Sequence, residues 1–213
     1  MPDTQPAPLR LLLSASVPAT TPDRADAFVD ALITPSSPTA SASSPAATPP
    51  SPRARPRRPR PRPPHAIERH QLRRYLDLTH PHAAPAPLHL HGAATDPDAP
   101  GLAAELAALR DALAARADAA LFAGGKSADS LTKPPGLRDE LDRFRAAHPR
   151  AAVFFTAALG GYTADVLIPA ARAGHIALHD GLTPAAREAL WRATDPTELA
   201  PLLLDALAAA PRP

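Results

Sequence analysis

Apolar and polar residues follow two different periods along this chain, and the changes of period mark its elements. Ala119 to Ala123 and Ala151 to Ala158 are apolar runs of strand length, and each leads into a glycine pair, Gly124-Gly125 and Gly160-Gly161. Between them, Pro134-Pro135-Gly136 opens a segment with Leu137, Leu141 and Phe144 at i, i+4 and i+7, a single helical stripe. Strand, glycine turn, helix, strand, glycine turn is the order of a parallel βαβ unit. Its glycine turns would lie at the carboxyl ends of the strands, where open α/β sheets bind ligands. They would also face the positive ends of helix dipoles, which suit a phosphate.

The same reading extends outward from this unit. Leu9 to Ser14 predicts a first strand, ended by Ser-Ala-Ser-Val-Pro, and Pro22 to Ile33 a helix with Ala25, Phe28, Val29 and Leu32 on one stripe. His65 to Leu78 reads as a helix with Ile67, Leu72, Tyr75 and Leu76 apolar. Pro87 to His91 reads as a short strand, and Gly101 to Ala117 as the strongest helix, with Leu102, Leu106, Leu109 and Leu113 as its core face. Ala164 to Ala173 is helical but interrupted at Pro169, and Ile176 to Leu178 forms a brief last strand. Thr183 as N-cap before Pro184 starts the next helix, whose Trp191 and Leu190 belong to the core. Asp195-Pro196-Thr197-Glu198 resembles a capping box for a final helix carrying Leu199, Leu202, Leu203 and Leu207, unless Pro201 delays its start. The fold class expected is α/β: an open, mostly parallel Rossmann-like sheet of four or five strands with helices on both faces.

Composition changes that picture in one place. Thr34 to Pro64 holds eleven prolines and six arginines, no acid, and no apolar side chain larger than alanine apart from proline. Such a segment buries too little surface to offset its ordering entropy, so it is expected to be a disordered insertion. The organisation is therefore residues 1–33 as the first strand and helix, 34–64 as the insertion and 65–213 as the rest of the domain. Without those six arginines the net charge of +2 becomes −4, so the folded part is mildly acidic. The run Arg53 to Arg62 fits two readings: a non-specific polycation contacting anions such as nucleic acid, or a solvated insertion with no partner.

The chain has no cysteine, which removes disulfides, thiolate catalysis and zinc-thiolate sites. No apolar run reaches the ~18–20 residues of a membrane span. Leu11 to Leu13 with Ala15 and Ala19 imitates a signal peptide, but the apolar stretch is short and Asp3 precedes it; the expected location is cytoplasmic.

The candidate chemistry gathers at the glycine turns. Glu140 and Asp139, one turn into their helix, can bind ribose hydroxyls or stabilise oxocarbenium-like charge, or can simply favour the helix dipole. Arg110 can clamp a phosphate or lie on a solvated helix face beside Asp111. Lys126 can meet phosphate as a point charge, and Ser14 and Ser16 can donate to it from the end of the first strand. His80 with His82, and His89 with His91, form two His-X-His pairs, but no carboxylate stands at ligand spacing, so neither a metal nor any other cofactor is expected.

These residues resemble a family. The stretch from Ala117 to Tyr162 is similar to the Lonely Guy phosphoribohydrolases and to the wider STING-and-Lonely-Guy-like (SLOG) nucleotide-binding domains. The enzymes carry a strand followed by PGGxGTxxE; here Gly124-Gly125 match the paired glycines, Gly136 the third and Glu140 the glutamate. Leu11 to Pro18 resembles the first strand and loop of the sensor-type relatives. Arg110 falls near their upstream arginine, and Leu159 to Tyr162 near their last glycine turn. Two departures favour the sensor over the enzyme: ten residues, Lys126 to Pro135, separate the glycine pair from Gly136, and Leu137 replaces the threonine.

The resemblance implies a nucleotide or ADP-ribose-type ligand held by Ser14, Ser16, Gly124, Gly125, Lys126, Gly136, Gly160 and Gly161. It also implies an effector protein as partner, and a homodimer is compatible with it. If the chain is an enzyme, the resemblance implies cleavage of the bond between base and ribose 5′-monophosphate, with Glu140 and Arg110 catalytic. A third reading is a degenerate domain kept as an interaction scaffold: the relatives have a second strand and glycine loop where this chain has Thr34 to Pro64.

Overall fold

A computed structural model describes residues 10–16, 69–72, 88–93, 99–126 and 136–211, together with Asp96. Within them the chain is mixed α/β. Strands β1 (Leu11–Ser16), β4 (Ala119–Gly124) and β5 (Ala152–Thr156) form a parallel sheet in the order β1-β4-β5. Strands β2 (Arg69–Leu72) and β3 (Leu88–His91) form a separate parallel pair. The helices are α1 (Leu102–Arg116), α2 (Gly136–Ala147), α3 (Ile168–Arg172), α4 (Pro184–Arg192) and α5 (Pro196–Ala209).

The unbroken apolar runs have a physical reason. A parallel sheet joined by helical crossovers is covered on both faces, so both sides of each strand must be apolar. Every residue of β4 and β5 is buried. On one face, Leu12, Ala120, Phe122, Val153 and Phe155 pack with Leu137, Leu141 and Phe144 of α2 and with Ala114 of α1. On the other, Ala119, Leu121, Ala123, Ala152 and Phe154 pack with Leu199, Leu203 and Ala206 of α5. Each large side chain taken fully out of water here contributes about 1.5–3 kcal/mol. The three positions of the α2 stripe, Leu137, Leu141 and Phe144, are all buried, as their spacing requires.

Several expectations meet different outcomes. Residues 69–72, read as part of a helix, form β2, because their backbone pairs with β3 from Arg69 opposite Leu88 to Leu72 opposite His91. Ile176 to Leu178 is not a strand. The Leu178 carbonyl accepts one hydrogen bond from Val153 N at 2.8 Å, but left-handed residues at Gly174, His179 and Gly181 break the segment before a ladder can form. The leucine stripe of α1 is only half-buried, and Ala114 is the fully buried residue of that helix.

The helical ends follow their local chemistry. Thr183 Oγ1 accepts from Ala186 N at 3.2 Å, so Thr183 caps α4 as its sequence implies. The last helix begins at Pro196 and passes through Pro201, and Leu199 and Leu203 are buried. Before α3 the backbone widens into a π turn over Thr163–Leu167. Pro169 explains it: proline has no N–H for the Asp165 carbonyl, and its ring would press on that carbonyl in a regular helix. Trp191 is buried as expected, with the Arg172 guanidinium 5.3 Å from its ring centroid. The Pro22–Ile33 helix, the Thr34–Pro64 insertion, His80 and His82 lie outside the described residues.

The start of β1 is tied to the start of β4. Arg10 donates to Asp118 from its backbone N at 2.9 Å and from its guanidinium at 3.2 Å. The Arg10 side-chain hydrogen bond is the main cause that holds the Asp118 carboxyl below its ordinary range, partly opposed by burial. A carboxyl with a depressed folded-state pKa stabilises the fold above the ordinary carboxylate range, and that stability is lost as pH falls through the depressed value. Because Arg10 is well exposed, the contact contributes about 0.5–1 kcal/mol. The stability difference between wild type and D118N is therefore expected to be constant near neutral pH and to shrink below about pH 4. Urea unfolding of both proteins across that range checks this, and a difference that persists unchanged in acid would contradict it.

Candidate functional site

The carboxyl end of the three-stranded sheet collects residues that are far apart in the sequence. Ser14 lies near the end of β1, on the same face as Leu12, and is buried. Register places it beside Phe122, and places Ser16 beside Gly124. The Ser14 hydroxyl donates a hydrogen bond to Glu140 Oε2. Arg110, from α1, donates through Nε to Glu140 Oε1 at 3.1 Å and through Nη1 to Asp139 Oδ2 at 3.0 Å. One strand and two helices thus meet on a single carboxylate.

The network continues along α2. Arg143 donates to Asp139 Oδ1 at 3.0 Å and to Asp111 Oδ1 at 2.5 Å, and these two bonds hold its guanidinium above the ordinary range. Asp139, read from sequence as a dipole partner or ribose ligand, therefore bridges two arginines. Arg143 was not singled out by the sequence reading; its one signal is the i, i+4 spacing from Asp139. Arg110 and Glu140, half-buried at 21% and 24% side-chain exposure, satisfy each other. In this arrangement the Arg110 guanidinium faces carboxylates.

Gly125, Gly136 and Gly161 occupy places where a side chain would not fit. A Cβ on Gly136 would lie 2.6 Å from Arg110 Nη2, so glycine there leaves room for the guanidinium. Gly124, Gly125, Gly160 and Gly161 all have positive φ. A Cβ on Gly125 would overlap Leu137 Cδ1, and one on Gly161 would overlap the Gly125 carbonyl oxygen. The turns after β4 and β5 therefore touch, with Tyr162 and Leu137 wedged beside them. Gly160, by contrast, has open space where its Cβ would be. Lys126 is exposed just past this contact, and residues 127–135 lie outside the described residues.

Two further features belong to this edge. Thr163, directly after the second glycine turn and in the π turn, is fully buried, and its Oγ1 has no hydrogen-bond partner among the described residues. Arg138, in the first turn of α2, bonds Asp142 at 2.9 Å, and its guanidinium is held above the ordinary range mainly by that contact, with a smaller contribution from the Tyr162 hydroxyl.

The structure thus brings together Ser14, Arg110, Gly124, Gly125, Gly136, Glu140, Gly160 and Gly161 at one end of the sheet, with Ser16 beside Gly124. Among the described residues, no three His, Cys, Asp or Glu side chains are grouped to hold a metal ion. No helix among them is long and apolar enough to cross a membrane. No protein-family model, curated protein or solved structure matches the chain.

Proposed function

We propose that this edge of the sheet is a binding site for a nucleotide or ADP-ribose-type ligand, and that the chain works as a SLOG-like sensor domain. The observation that carries the reading is the convergence of Ser14, Arg110 and Glu140, from β1, α1 and α2, on one hydrogen-bonded centre beside the glycine turns. A carboxylate held by an arginine accepts strongly from a vicinal diol, so ribose hydroxyls would take the place of the Ser14 hydroxyl on Glu140. Arg110 orients that carboxylate. Backbone N–H groups of the glycine turns, with Lys126 and Ser16, supply the anion-binding side. The same reading expects a Rossmann-like sheet of four or five strands, a cytoplasmic location, and an effector protein to receive the signal.

One observation favours a second reading. The glycine turns fill each other's space, as in a domain kept for its shape, and this suits an interaction scaffold.

Thermal denaturation of the purified chain with AMP, ADP, NAD or ADP-ribose separates the readings. A ligand at a hundredfold excess over its Kd stabilises by about 2.7 kcal/mol, which raises the midpoint by roughly 5 °C or more. Glu140→Ala removes a charged acceptor and is expected to weaken binding about 10–100-fold. Absence of any ligand response leaves the scaffold. Release of free base from a nucleoside 5′-monophosphate by wild type, lost in the same variant, would replace the sensor with a phosphoribohydrolase in which Glu140 and Arg110 are catalytic.

A further inference from the structure

A different flank of α2 carries a cation that nothing in the described protein neutralises. Arg110, Arg143 and Arg187 are all half-buried, and each is paired with carboxylate: Arg110 with Asp139 and Glu140, Arg143 with Asp139 and Asp111, Arg187 with Asp180. Arg145 is also half-buried, yet no carboxylate among the described residues meets it. Its Nη1 donates to the Pro149 carbonyl at 3.2 Å, and its Nη2 is buried without an acceptor. Burial pushes the guanidinium below its ordinary range, the direction expected of a cation that has lost water and gained no counter-ion.

A contact to the carbonyl just past a helix end is a common use of arginine, but it occupies one donor of five. Arg145 also lines a cavity of about 330 Å³ between α2 and the segment after α3. Arg138, Asp142 and His175 stand around it, with Leu141 and Ile176 as apolar wall. Asp142 is already engaged by Arg138 at 2.9 Å, so the charge of Arg145 is left in excess. A guanidinium fork matches the geometry of carboxylate and phosphate oxygens, and the pairing strengthens where water is partly excluded.

The geometry points to a binding site in this cavity for a small oxyanion, a carboxylate or phosphate group on a compact apolar body. Arg145 is its principal ligand, Arg138 and His175 its rim. None of Ser14, Arg110, Glu140 or the glycines of the turns lines this cavity, and Arg138 is the one residue it shares with their edge of the sheet.

The test uses the full chain, with inorganic phosphate and acetate as probes and sodium chloride at matched ionic strength as the control for general screening. At a tenfold excess over half-saturation, the preferred probe is expected to raise the thermal midpoint by about 3–5 °C above the chloride control. The probe that does so names the oxyanion. Arg145→Gln, which keeps the stem and removes the charge, is expected to abolish the rise, and Arg145→Lys to keep a weaker one. Titration followed on the Arg145 side-chain Nε–H by NMR reads the wild-type protein directly, so the inference does not depend on the variants folding. It is overturned if neither probe exceeds chloride and the Arg145 resonance does not move, or if R145Q retains the full response.

Discussion

Gly161→Ala is expected to destabilise the fold by about 2–5 kcal/mol, through two separable costs. A residue held at φ +61° is left-handed, which costs about 1–2 kcal/mol for any residue bearing a Cβ. The added methyl would also overlap the Gly125 carbonyl oxygen. That obstacle is backbone, fixed by the turn after β4, and cannot rotate aside as a flexible side chain would; such overpacking adds about 1–3 kcal/mol. Gly160→Ala is the internal control. Its φ of +65° is equally left-handed, but nothing stands where its Cβ would go, so only the conformational cost applies. Urea unfolding with unchanged slope should rank G161A well below G160A, and wild type above both. Equal losses in the two variants would show that the glycine turns do not touch.

Arg187→Met is expected to cost about 3 kcal/mol, because it strands a buried charge. Asp180 is 2% exposed, and Arg187 donates to both its oxygens, at 2.7 and 2.6 Å, and to the Leu182 carbonyl at 3.1 Å. Those bonds hold the Arg187 guanidinium above its ordinary range, with the Asp180 hydrogen bond the leading cause. They also tie the turn from His179 to Leu182 onto α4, the helix that brings Leu190 and Trp191 into the core. Among the described residues, removing the cation leaves Asp180 with only the Leu182 N–H at 3.1 Å. In the double variant D180N/R187M the charge itself is gone, so at least half the loss should be recovered, and the coupling read from the four-protein cycle should exceed about 1 kcal/mol. A single-variant loss under about 1 kcal/mol would mean that water reaches Asp180 and the pair acts as a surface contact.

The residues most legible in the sequence were those whose local pattern and tertiary environment agree. The apolar runs of β4 and β5, the Leu137-Leu141-Phe144 stripe of α2, the Thr183-Pro184 start of α4 and the burial of Trp191 all follow from short-range rules. The candidate site was legible as residue types: serine after a first strand, glycine pairs after two others, and a glutamate in the first turn of a helix. Its connections were not. That Ser14 reaches Glu140 across 126 positions, and that Arg110 faces carboxylates, depends on where β1 and α1 stand beside α2. Arg143 carried only its i, i+4 spacing from Asp139, and Asp180, in a loop, carried no signal of its pairing with Arg187 on α4.

By itself, the sequence determined which segments are apolar on both faces and where glycine lets the backbone turn, because periodicity and φ > 0 are properties of a few consecutive residues. Only the tertiary structure decided that residues 69–72 are a strand, that α1 buries an alanine instead of its leucines, and that Leu178 contributes one hydrogen bond and no strand. It also decided which charges are paired and that, among the described residues, no carboxylate meets Arg145. The reason is common to all of them: strand pairing, burial and charge compensation depend on neighbours brought close by the fold, and those neighbours are dozens of residues away along the chain.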